Sequence, residues 1–206
     1  MNSRLTALGF FFMLMAALPG IAMNNYDDPR IVLSYMDKDL DPARDILRLH
    51  TDISDEQQLV FQVKMRGEGE SASRGDYVLL QVWQERAHLW LVPLGSSDPG
   101  DRALAYEGST ALRGLSQTLE SGEIDASLRE ADFTVKRISR GVEYAVPLEW
   151  LDYGQKVGFE AYTVRGRKTE SSFVIEEIYD RAAKGDREQH IVSPIMLLNN
   201  LCATRK

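Results

Sequence analysis

The chain has 206 residues, a formal net charge of −7, 44% apolar residues and 27% charged residues. That length suits one domain with a proper core, and the balance excludes wholesale disorder. The acidic charge argues against a general nucleic-acid binder, and the single cysteine, Cys202, excludes an internal disulfide framework or a cysteine-rich zinc module.

The first segment reads as an export address. Met1 to Arg4 is a short basic lead, and Leu5 to Leu18 is apolar throughout. Pro19-Gly20 would break a helix, and Gly20-Ile21-Ala22 offers small residues for a cleavage site. Residues 1–22 are therefore expected to be a signal peptide. An uncleaved anchor is the alternative, but the apolar run matches a signal core better than a span. Residues 23–206 would then form the mature domain, periplasmic or secreted, with no membrane span after cleavage.

The rest of the chain reads as strands. Ile31 to Met36 and Asp45 to His50 come first. Gln58 to Arg66 alternates cleanly, with Leu59, Phe61, Val63 and Met65 on one face. Such period-two alternation marks a half-buried strand. Tyr77 to Trp83 and His88 to Val92 come after a polar, Gly/Ser-rich loop at Gly67 to Gly75. Later candidates are Phe133 to Ile138, Val142 to Val146, Val157 to Val164, Phe173 to Ile178 and Ile191 to Leu198. One helix is expected at Thr110 to Glu120, where Leu112, Leu115 and Leu119 recur at helical spacing. About ten strands, regular turns and no βαβ rhythm predict an all-β fold, an antiparallel β-sandwich with at most one or two short helices.

The run RDILRLHTD, then QLVFQVKMRG, then DYVLLQVW, then VEYAVPLEWLDYGQKVGFEAYTV resembles the sandwich of family 9 carbohydrate-binding modules and DOMON domains. Val146-Pro147, Leu151 and Gly154 or Gly158 stand where those domains turn between strands. The resemblance implies a sugar held between two tryptophans, which makes Trp83 and Trp90 the positions to test. It also implies, as a lesser option, haem held between a methionine and a histidine, for which Met65 and His190 would serve. The chain departs from the carbohydrate modules where Arg165-Gly166-Arg167 replaces an acidic residue.

The hairpin from Tyr77 to Val92 is the expected site. An even loop would set Trp83 opposite His88 and Gln81 opposite Trp90. One face would then be aliphatic (Val78, Leu80, Val82, Leu89, Leu91), and the other would carry Trp83, Trp90, His88 and Gln81. Aromatic planes among hydrogen-bonding groups suit a sugar or another planar ligand. Trp150 is assigned to the core. The face assignment depends on loop parity, because a one-residue slip flips every side chain.

Asp37, Asp39 and Asp41 alternate as in a calcium loop, with Asp98 or Asp101 as further donors. Pro42 and Arg48 stand where an EF-hand needs glycine and glutamate, so a solvated acidic turn is the plainer reading. His50, His88 and His190 have no zinc spacing, and no nucleophile motif is present. The expectation is a non-catalytic binding domain for carbohydrate. An envelope protein as partner is the alternative, and haem-based electron transfer a minor third.

Overall fold

The computed structural model describes residues 28–68, 73–95, 103–108, 126–129, 133–169, 172–182 and 191–198. The expected leader (1–22) and the expected helix at 110–120 lie outside the described residues. Among the described residues, no helix is long and apolar enough to cross a membrane.

Among the described residues, twelve strands build two sheets. They are β1 (Ile31–Leu33), β2 (Ile46–Ile53), β3 (Gln58–Met65), β4 (Asp76–Trp83), β5 (Ala87–Pro93) and β6 (Leu104–Gly108). The others are β7 (Ala126–Arg129), β8 (Thr134–Ile138), β9 (Gly141–Pro147), β10 (Val157–Lys168), β11 (Phe173–Ala182) and β12 (Ile191–Val192). The first sheet has the order β1-β2-β3-β9-β8. The second has the order β11-β10-β4-β5-β6-β7, with β12 beside β10. Every pairing is antiparallel. The all-β expectation holds, and β6 and β7 are additions to it.

The sheets meet face to face. Leu49, Phe61, Val63 and Val146 of the first share one buried apolar cluster with Leu80, Val82, Trp90 and Phe159 of the second. The Phe61 ring meets Phe159 at 5.7 Å and Trp90 at 6.3 Å, both edge-on. Polar straps cross the gap as well. The Tyr144 hydroxyl donates to the Val78 carbonyl at 3.0 Å, and the Ile46 N–H donates to Asp180 Oδ2 at 2.6 Å. Burying those polar groups would be costly without such partners.

The seven-stranded sheet has a second apolar layer on its other face. Leu79, Trp83, Leu89, Leu91, Tyr106, Tyr162 and Phe173 form it, all buried. With both faces buried, β4 loses the alternation that marks β3. Seven of its eight residues are buried.

Two expectations need correction here. The segment 191–198 is not one strand. After two residues it turns into α1 (Pro194–Leu198). Pro194 lacks the N–H a strand ladder would use, yet suits the first helical position. The hairpin register is also different. Trp83 pairs with Ala87, Val82 with His88 and Leu80 with Trp90. The loop has three residues, Gln84-Glu85-Arg86, so its parity is odd. Leu89 and Leu91 therefore leave the face of Val78, Leu80 and Val82 and join the outer layer.

Candidate functional site

The odd loop divides the four expected ligand-binding residues between two faces. Gln81 and Trp83 point to the outer layer, while His88 and Trp90 lie on the side of the inter-sheet core. Trp83 is 2% exposed and Trp90 0%. Their expected shared, exposed patch is therefore absent. The Trp83 indole lies against Gly158 of the neighbouring strand, where any Cβ would collide with it. Gln81 is fully buried and sits across from Glu160. Glu160 in turn accepts a hydrogen bond from the Tyr162 hydroxyl at 2.5 Å and one from Arg181 Nη2 at 2.7 Å. Trp90 packs in the core against Phe133 at 5.0 Å and Tyr144 at 6.5 Å.

His88 alone of the four reaches an open site, and there it meets Trp150. Val146-Pro147 ends β9, and a 3-10 turn over Leu148–Trp150 comes next. That turn sets the Trp150 indole, half-buried, 4.9 Å from the His88 ring in an edge-on arrangement. The inner side of Trp150 rests on buried Trp90 at 5.6 Å. His88 and Trp150 form the aromatic wall of a cleft of about 190 Å³. The β4–β5 loop supplies Gln84, Glu85 and Arg86 to it, and the turn after Leu151 supplies Asp152 and Gln155.

The two sides of the cleft are joined by one side chain. Gln84 Nε2 donates to the Asp152 carbonyl at 2.8 Å, and the Asp152 N–H donates to Gln84 Oε1 at 3.0 Å. An amide thus pairs with a peptide group as a strand neighbour would. Asp152 Oδ1 accepts from the Gly154 N–H at 2.8 Å, which closes the turn. Arg86 forms an ion pair with Glu107 of β6. Glu85 and Asp152 remain exposed at the rim. The cleft offers an aromatic surface, amide groups and carboxylates.

The sequence assigns Trp150 to the core, and only its inner side fits that. The signal for its outer side is the adjoining run Asp152-Tyr153-Gly154, a turn that exposes its neighbours.

Two of the expected calcium ligands, Asp37 and Asp41, accept backbone hydrogen bonds. Asp37 Oδ1 accepts from the Asp39 N–H at 2.9 Å, and Asp41 Oδ1 accepts from the Ala43 N–H at 2.8 Å. These carboxylates close successive turns. Among the described residues, no three metal-ligating side chains converge, while Asp98 and Asp101 lie outside them. Met65 is packed in the inter-sheet core, and His190 lies outside the described residues. No family model matches the chain, and neither a curated protein nor a solved structure matches it.

Proposed function

We propose that this chain is an exported, non-catalytic binding domain whose ligand is a carbohydrate ring, held in the cleft between His88 and Trp150. The observation behind this reading is the partly exposed Trp150, braced from behind by Trp90 and flanked by His88. A sugar presents a C–H face that suits an indole and hydroxyl groups that suit the amide of Gln155 and the His88 ring. The signal-like first 22 residues and the strand pattern resembling family 9 carbohydrate-binding modules support the same reading.

The test is a glycan panel against the full chain, with titration of any hit. Indole fluorescence and backbone amide NMR shifts are the readouts. Shifts should centre on His88, Trp150 and Gln155. Replacing Trp150 by Ala should raise Kd about tenfold, the upper range for one stacked aromatic contact. Trp83→Phe, on the outer layer, should leave Kd unchanged. A panel without a binder, or shifts centred elsewhere, overturns the proposal.

A further inference from the structure

Resting on that ring-binding reading, the charge pattern of the cleft specifies more. We propose that it selects a ring bearing a protonated amine, an amino sugar with a free ammonium group, over neutral or anionic rings of the same size. Three charged residues line the cleft: Glu85, Arg86 and Asp152. The positive charge is already engaged, because Arg86 is ion-paired with nearly buried Glu107. Glu85 enters no ion pair among the described residues, and Asp152 uses only one carboxylate oxygen, on the Gly154 N–H. Two exposed carboxylates, neither in an ion pair among the described residues, therefore stand at the rim of the aromatic cleft. An indole attracts a cation placed over its ring, so Trp150 and the carboxylates favour the same ligand charge. A uronic acid would meet both negative charges, while Arg86, the one Lys or Arg among the lining residues, is paired with Glu107. The net charge of −7 acts in the same sense at long range, concentrating cations near the surface.

The open rim limits the size of the effect. Exposed pairs are each worth little, so two of them should give about fivefold discrimination at low salt. Glucosamine, N-acetylglucosamine and glucuronate form the comparison, each titrated into the full chain at about pH 7, where a sugar amine is mostly protonated and an ordinary imidazole mostly neutral. Glucosamine should bind about fivefold tighter than the acetylated ring, with glucuronate weakest. Added salt should narrow the gap. The double variant E85Q/D152N should bring glucosamine and N-acetylglucosamine level, chiefly by weakening glucosamine. Asn at 152 keeps an acceptor for Gly154, so the turn persists. Equal affinities in the unaltered chain, or a preference for glucuronate, would overturn the charge selection and leave ring binding standing. No response at Trp150 to any of the three would overturn both.

Discussion

Asp76 shows how much one residue can hold. Its side chain is fully buried, yet it is charged. Burial pushes its carboxyl up, but hydrogen bonds from the Ser73 N–H, Arg44 and Tyr179 outweigh this and hold it below the usual carboxylate range. Arg44 lies over the Tyr179 ring at 4.3 Å, with Arg165 at 5.7 Å, so the two guanidiniums and the phenol share one carboxylate. Asp76→Ala would strand these groups. Partly exposed Arg44 can recover some water, so the expected loss is about 3 kcal/mol, read by chemical denaturation. A loss below about 1 kcal/mol would mean the network is surface decoration. His50 makes a different prediction. Burial pushes its pKa down from 6.5, with nearby Asp52 opposing. The folded chain therefore binds the His50 proton more weakly than the unfolded chain does. This contribution is complete above about pH 6.5 and is lost as pH falls through the lower, folded value. Denaturation midpoints at about pH 7.5 and 5.5 should differ less in His50→Gln than in the unaltered chain. Equal differences would show that His50 does not titrate with folding.

Within the elements, the β10–β4 seam depends on a missing side chain. Gly158 faces the Trp83 indole, and a methyl group there has no room. Gly158→Ala should cost about 1–3 kcal/mol, because the indole or the strand must shift within a filled layer. An unchanged denaturation midpoint would show that Trp83 moves freely. On the opposite face, Trp90→Ala should cost about 3–5 kcal/mol through the cavity it leaves among Phe61, Phe133 and Tyr144. A small loss would place Trp90 nearer the surface. These two tryptophans also mark the limit of what the sequence makes legible. The strand Gln58–Met65 is legible because only one of its faces is uniformly buried. The strands β4 and β5 carry apolar residues toward two layers, so no alternation reports which face is which. The loop Gln84-Glu85-Arg86 has no glycine or asparagine to declare its turn type. Parity then decides the site, and parity has no local signature. The short strands Leu104–Gly108 and Ala126–Arg129 escape for a related reason, since four or five residues carry too little period to detect. Trp150 is visible as a residue, but its half-exposure depends on a turn from the other sheet.

At the scale of the whole molecule, the cleft sits on a seam between the sheets. The β4–β5 loop belongs to the seven-stranded sheet, and Trp150 lies just past the last residue of β9 in the five-stranded sheet. Neither sheet alone builds the site, so its shape depends on how the two are held. The shared core fixes their separation, through Phe61 against Phe159 and Trp90. Arg137 of β8 adds a strap by donating to the carbonyls of Pro93 and Leu94 at the end of β5. Near the cleft, the Gln84 amide is the direct tie, through its two hydrogen bonds to the Asp152 peptide. Removing that amide should act locally. Each neutral bond contributes about 1 kcal/mol net, so Gln84→Ala should lower global stability by about 1–2 kcal/mol. The core beneath would persist, since Gln84 is not part of it. Exchange of the Asp152 amide hydrogen should quicken by more than that of Phe61 or Val82, because its acceptor is gone while the central strands remain paired. Any ring ligand should bind more weakly in proportion, as a loosened wall must be ordered on binding. Uniform faster exchange across both sheets would instead make Gln84 a support of the whole fold. Unchanged exchange at Asp152 would mean that the turn stands without the amide, and that the cleft owes its form to Trp150 and Trp90 alone.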